Sequence, residues 1–353
     1  MLNIAITFDY ELFFGDHFVG ADEMLFSPTE QLLKILNKYS ISATFFVDVL
    51  SVYMHEKAGE ISYCQKFIQQ IQKMLQAGHD VQLHIHSHWL TSGYENGKWI
   101  FDETNYRIHS FGFDETKEMS VYGIIKWGKD FLENNLKKID ENYACVAFRA
   151  GGFCVQPHEG LFQALNKNGI WIDSSVAVQQ QKDGINKYDY TNIPPERNGW
   201  WIKSTGSINE QVSSDEGDIF EVPIICTSRS LIRRLLHPEA EKTLRCGKPK
   251  GTYIGQSKCV PVQNITLRKM KALLNYNRAK PMLTCDSLRY GAILRELFKR
   301  AKCAKKEEYI SIIGHPKLID NIWLANFEEI LRGISINQNC RIVTMTEMGS
   351  QLR

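Results

Sequence analysis

The sequence predicts an α/β fold, a (β/α) barrel that is distorted or partial, and three observations lead there. Short apolar runs of strand type alternate with amphipathic helical segments along most of the chain. The length, 353 residues, suits one such barrel with insertions. Acids, a guanidinium and imidazoles recur where the strand candidates end, and the C-terminal ends of the strands form the reactive face of this architecture.

The elements follow in order. Residues 2–8 form an apolar run suited to a buried strand. Ser27, Pro28, Thr29 and Glu30 read as a capping box with proline at the first helical position, opening a helix through Leu32, Leu33, Ile35 and Leu36. A second strand is expected over 43–49, an amphipathic helix over about 63–77 that Gly78 can terminate, and a third strand beginning at Asp80. Residues 92–113 lack periodicity and read as a long loop, and long loops in compact domains often carry function. A helix over 115–138, a strand over 145–148, a helix over 158–167 and a strand over 170–173 continue the alternation. Loops and a β excursion fill 179–216 before a strand over 219–225. The pattern resumes with a helix at 288–302, a strand at 309–313, a helix at 321–332 and a last strand at 341–345. A single domain over 1–353 is expected, including a basic insertion at about 226–306.

Composition narrows the class. With 43% hydrophobic and 23% charged residues the chain is an ordinary globular sequence. Nine scattered cysteines without a C-x-x-C pair point to reduced thiols in a cytoplasm rather than to a disulfide framework. The first residues already read as a strand, so no export signal is expected, and no apolar run approaches the ~20 residues that span a bilayer.

The net charge of +2 conceals an asymmetry. Residues 229–306 carry 20 Lys and Arg against four acids, a net +16, which leaves the rest of the chain at −14. Within this block, Leu231, Ile232, Leu235 and Leu236 would form an apolar stripe on a helix, flanked by Arg229, Arg233 and Arg234. Such a helix can lie on an anionic inner-membrane surface or face an anionic substrate, and equally can be a solvated face. No nucleic-acid-binding motif accompanies the charge, so no nucleic acid is expected as a partner.

The chemistry concentrates at strand ends. His84, His86 and His88 fall within five residues, and neutral imidazole is the commonest protein ligand of zinc-type ions. Asp9 and Glu11 are two apart, so an extended backbone sends both side chains to one face. Beside a metal, one carboxylate can ligate while the other serves as a base. Arg149, Asp173 and His315 also sit at strand ends. Trp89, Trp200 and Trp201 are candidates for stacking on a substrate ring, with core packing as the alternative.

In these motifs the chain resembles the polysaccharide deacetylase, or NodB-homology, family of carbohydrate esterases. The family's Thr-Phe-Asp-Asp-Gly motif is similar to Thr7-Phe8-Asp9-Tyr10-Glu11, and its H-x-x-x-H motif to His84 and His88. Arg149-Ala150-Gly151-Gly152-Phe153 resembles its R-x-P-x-G motif, Ile172-Asp173-Ser174-Ser175 its aspartate motif, and Gly314-His315-Pro316 its late histidine motif. Two positions depart: Tyr10 stands where the family has its ligating aspartate, and Gly151 where it has proline.

The resemblance implies a NodB-type barrel holding a divalent metal, most often zinc, on a carboxylate and two histidines. It would make Asp9 the general base, His84 and His88 ligands, and His315 the general acid. Arg149 would hold Asp9 ionised, and Asp173 would fix the tautomer of His315. In this D-x-E variant Glu11 is the better placed ligand, with Asp9 as the alternative. A backbone N–H near Gly152 or Phe153 would receive the oxyanion, and His86, Trp89 and Arg233 are further substrate-side candidates.

The expected function is hydrolysis of an N-acetyl, less often O-acetyl, group on a nucleotide- or lipid-linked sugar in surface-polysaccharide biosynthesis. The location would be cytoplasmic, either free or peripheral at the inner membrane. Two alternatives stay open: a metal-dependent amidohydrolase acting on a cyclic amide, and a non-catalytic, membrane-peripheral glycan-binding protein.

Overall fold

Strand β1, Leu2–Tyr10, is buried along all nine residues and is the axis on which the other strands assemble. In chain order the rest are β2 (Thr44–Asp48), β3 (Asp80–Ile85), β4 (Gly93–Glu95), β5 (Lys98–Ile100), β6 (Ala147–Ala150), β7 (Ile172–Asp173), β8 (Gln181–Lys182), β9 (Tyr188–Asp189), β10 (Trp200–Ile202), β11 (Ile219–Glu221), β12 (Glu308–Gly314) and β13 (Cys340–Ile342). The helices are α1 (Ser27–Lys38), α2 (Val49–Lys57), α3 (Ile61–Gln76), α4 (Val121–Leu136), α5 (Leu161–Lys167), α6 (Tyr290–Cys303), α7 (Asn321–Ser335) and α8 (Met345–Leu352). This computed structural model describes residues 1–12, 20–102, 104–158, 160–185, 187–226, 285–287 and 290–353.

The main sheet runs β10-β11-β7-β6-β3-β2-β1-β12, and β13 also pairs with β1. Every pairing in it is parallel except β10 with β11. Strand β1 serves three neighbours: β12 along one edge, and on the other β13 at its start and β2 at its end. Past β11 the chain forms parallel bridges from Ile224 to Ala177 and to Ser311, so the curled sheet meets β12 and the distorted barrel closes. The expected fold class is therefore the one observed.

Strand parity divides the core. Ile4, Ile6, Phe8 and Tyr10 join the cluster shared with the helices, among them Leu32, Phe67 and Phe327. Ala5 belongs to a second cluster with Phe46, Ala147, Trp171, Phe220, Tyr309 and, from α8, Met345 and Met348. That cluster fills the base of the barrel, and Thr7, Asp9 and Glu11 continue the same parity toward the C-terminal ends of the strands. The polar residues thus stand on a packed apolar floor.

Three local expectations are corrected. Ser27 caps nothing: the chain is already helical there (φ −65°, ψ −43°) after a wide turn over Asp22–Phe26, and a side-chain N-cap needs an extended residue. Helix α2 follows β2 directly, although Val49–Lys57 has little amphipathic pattern to announce it. The 92–113 segment contains the β4-β5 hairpin and a 3-10 turn at Ile108–Phe111. Most of the basic insertion expected at about 226–306, including the amphipathic stretch with Arg233, lies outside the described residues; Tyr290–Cys303 is a helix that packs on α7.

Phe8 bears on Phe45, Phe327 and Trp323 with ring centroids 5.4, 5.6 and 6.3 Å away, locking β1 to the helix layer one residue before Asp9. Phe8→Ala should lower the unfolding free energy by about 3–5 kcal/mol, measured by denaturant titration.

Candidate active site

The odd-numbered face of β1 delivers Asp9 and Glu11 to the mouth of the barrel, where they are 2% and 6% exposed. Tyr10 points the opposite way, its hydroxyl donating to Gln70 Oε1 at 2.7 Å and its ring set edge-on to Phe67. A carboxylate at position 10 would therefore face the helix layer, which is why the acid of this site stands at 11.

Glu11 meets two imidazoles. Its Oε2 lies 3.0 Å from His84 Nε2 and in hydrogen-bond contact with His86 Nε2. His84 Nδ1 donates to the Arg149 carbonyl at 2.8 Å, which turns Nε2 toward the acids. His86 continues the extended chain of β3, so 84 and 86 share a face; the 3-10 turn Ser87–Thr91 then breaks the alternation before His88 acts. Among the described residues, Glu11, His84 and His86 place one ligand atom each within 4.8 Å of one another, a set that could hold a metal ion. A carboxylate with two imidazoles is the donor chemistry of a divalent transition ion, so these residues fit the metal.

This group differs from the pairing expected between His84 and His88, since it takes in His86 in place of His88. The His88 ring stacks on Tyr106 at 4.9 Å and on Trp89 at 6.0 Å. Burial, aided by the nearby His86, pushes its imidazole down to about 2, so it is neutral. Gly151, where the family has proline, has a steric reason: a Cβ there would come within 2.6 Å of the Ile85 carbonyl and 2.9 Å of His86 Nδ1.

Arg149 meets Asp9 at the mouth of the barrel. It is fully buried, donates to Asp9 Oδ1 at 2.8 Å and to the carbonyl and hydroxyl of Ser174 at 2.6 and 2.9 Å, and lies 4.4 Å over the Phe46 ring. His315 Nε2 faces the same acids, 3.8 Å from Asp9 Oδ2 and 3.6 Å from Glu11 Oε1.

The partner of His315 is not Asp173. Asp286 Oδ2 accepts from His315 Nδ1 at 2.8 Å, while Oδ1 accepts the His315 N–H at 3.2 Å and the Trp323 indole at 2.9 Å. Asp173 lies directly opposite Glu221 in the β7-β11 register and instead accepts from the Ser175 hydroxyl at 2.7 Å. Burial raises both of these carboxyls, and the neighbouring Asp173 adds to the rise at Glu221, which lies well above its ordinary value.

Electrostatics follow from burial and partners. Burial opposes charge on Glu11, yet Lys317 and the two imidazoles outweigh it and hold the carboxyl well below the usual range. Burial likewise opposes a proton on His84, but Asp9 and Glu11 push it up to about 9. Asp286, with Asp9 and Glu11, overcomes burial to raise His315 as well. The site as it stands balances buried acids against imidazolium, guanidinium and ammonium.

Several contributors were not anticipated. Asp48 at the end of β2 accepts the His86 N–H at 3.2 Å and the Trp89 indole at 2.7 Å, tying down the histidine segment. Lys317 donates to Glu11 Oε1 at 2.6 Å. Asp286 is the one aspartate among the four acids of the basic block, and Lys317 stands two residues after His315. Trp89 is fully buried and Trp200 nearly so, with its indole on the Ile208 carbonyl; Trp201 stacks on Trp171 away from the acids. All three therefore pack the protein rather than offering a sugar platform. Gly152 and Phe153 follow Arg149 with φ of 61° and 63°, turning the chain sharply at the mouth.

A barrel with buried carboxylates and imidazoles at its C-terminal mouth is a hydrolase-type site. Residues 3–151 match the model of the polysaccharide deacetylase family. This match indicates a carbohydrate deacetylase, a hydrolase acting on a sugar. No curated protein matches the chain. Among solved structures, a protein described as a polysaccharide deacetylase from Mycobacterium smegmatis is 14% identical, with TM-score 0.48 over 100% of this chain and 90% of that one. Glycoside hydrolase family 57 branching enzymes from Thermococcus kodakaraensis and Pyrococcus horikoshii are each 10% identical, with TM-score 0.51; the likeness covers 99% and 100% of this chain and 70% of theirs. The branching enzymes share the fold with this chain. No described helix is long and apolar enough to cross a membrane.

The Asp173-Glu221 pair has a pH signature. The native state keeps a proton that the unfolded chain releases above the ordinary glutamate value of 4.5, so stability is lost as pH rises from there toward the raised native value, by about 1.4 kcal/mol per pH unit. Glu221→Gln removes the titrating proton. Its melting temperature should fall less than that of the unmodified chain as the pH is raised above about 5, as read by thermal scans at successive pH values.

Proposed function

We propose that the chain is a metal-dependent N-deacetylase acting on a nucleotide- or lipid-linked sugar of surface-polysaccharide biosynthesis. The observation that carries this reading is the convergence of Glu11, His84 and His86 on one point, with Asp9 and His315 beside it. Glu11, His84 and His86 would hold the ion, with zinc the first choice for a carboxylate and two imidazoles. When bound, such an ion supplies Lewis-acid polarisation of the acyl oxygen and a water of lowered pKa.

The residues of the chain do the rest. Asp9, held in place by the 2.8 Å bond from Arg149, accepts the proton of the attacking water. A backbone N–H at Gly152 or Phe153 steadies the acyl oxygen as it gains charge. His315, held as imidazolium by Asp286, gives its proton to the departing nitrogen. The C–O bond forms, the C–N bond breaks, and the products are acetate and the free amino sugar.

The substrate's carrier is read from charge. The +16 balance of residues 229–306, with Arg233 in its amphipathic stretch, complements the diphosphate of a nucleotide or lipid carrier and an anionic inner leaflet. Cys64, Cys145, Cys154 and Cys285 are buried free thiols, in keeping with a cytoplasmic site.

Incubating metal-loaded protein with UDP-linked and lipid-linked N-acetyl sugars should release acetate, detected by mass spectrometry of both products. Asp9→Asn and His315→Ala should each lower kcat by about 10²–10⁴-fold, and near-normal turnover in either removes that residue from the mechanism. Release of a ring-opened product from a cyclic amide, without acetate from any sugar, would overturn the substrate class.

Metal content separates the histidines. His86→Ala should lose the bound ion, whereas His88→Ala should retain about one equivalent by elemental analysis. The reverse pattern would return the site to the 84/88 pairing.

A further inference from the structure

Glu11 presents its two oxygens to different surroundings, and Lys317 accounts for the division. Oε1 accepts from Lys317 Nζ at 2.6 Å, while Oε2 faces the Nε2 atoms of His84 and His86. Lys317 also reaches the Leu12 carbonyl at 3.4 Å and is 9% exposed, so the bond forms where water competes little. Its backbone is fixed as well. Pro316–Leu318 is a 3-10 turn directly after His315, closed by the Leu318 N–H on the His315 carbonyl at 3.0 Å.

A glutamate side chain has three rotatable bonds and could ligate through either oxygen or both. An ammonium clamped on Oε1 removes that freedom, leaving Oε2 directed at the imidazoles. The mechanism above makes no use of Lys317, and the resemblance assigns nothing to its position.

We propose that Lys317 is a positioning residue that orients Glu11 so that Oε2 alone is offered to the metal. The proposal rests on reading Glu11, His84 and His86 as ligands. Two effects of the ammonium oppose each other: orientation strengthens binding, and charge repulsion weakens it. Partners that orient ligands in this way typically contribute 10–100-fold in metal affinity, which sets the expected sign.

The test uses Co²⁺ on the full chain, with affinity from competition against a chromophoric chelator and ligand geometry from visible absorption. Lys317→Met should bind about 10–100-fold more weakly, with an altered spectrum, while Lys317→Arg stays close to the unmodified chain in both. Melting of the metal-free proteins establishes that the variants are folded, and Lys317→Gln replaces Lys317→Met under the same criteria if the latter does not fold. An unchanged Lys317→Met spectrum, or affinity equal to or tighter than the unmodified chain, overturns the proposal and leaves the metal site standing. Failure of the unmodified chain to bind Co²⁺ overturns the metal reading and this inference with it.

Discussion

Two carboxylates on one face of one buried strand are the constraint around which this site is built. Asp9 and Glu11 leave β1 on the same side and are almost entirely removed from water. Unpaired, each would cost several kcal/mol, so cations must come to them. Arg149 reaches Asp9 from β6, Lys317 reaches Glu11 from the turn after β12, and His84 and His86 reach Glu11 from β3. Strand β12 beside β1, β3 on the far side of β2, and β6 beyond β3 are thus tied to it by charge at the mouth as well as by the backbone ladder beneath.

The same logic separates the remaining acids. Asp286 faces a histidine and stays with it as an ion pair, raising His315 and holding its Nδ1–H. Asp173 faces another carboxyl across a parallel strand pair, and two buried acids side by side resist ionisation, so both carboxyls are raised. Both aspartates are buried near the ends of elements that meet the barrel mouth. Only what stands opposite each decides whether it orients a base or stores a proton.

Much of this was legible in the chain. The alternation of strands and helices and the strand ends bearing Asp9, His84, Arg149 and His315 follow from periodicity and residue type, and the switch of acid from position 10 to 11 follows from the resemblance to the deacetylase motif. The period of two that paired Asp9 with Glu11 also pairs His84 with His86; the four-residue spacing to His88 obscured it. That spacing would suit a helix, whereas β3 runs extended to His86 and then turns. Helix α2 escaped notice because its buried side chains do not keep to one stripe, and the supposed cap at Ser27 failed because the chain before it was already coiled.

By itself the sequence determined the barrel, the face on which its chemistry collects, and the residue types present there, because these depend on local periodicity and on where apolar runs end. The tertiary structure decided which of those residues meet. His86 rather than His88, Asp286 rather than Asp173, and the approach of Lys317 to Glu11 depend on strand register and on contacts spanning 29 to 306 residues of chain. No local pattern encodes such distances, since they are set when the barrel closes and buried charges must find partners within reach.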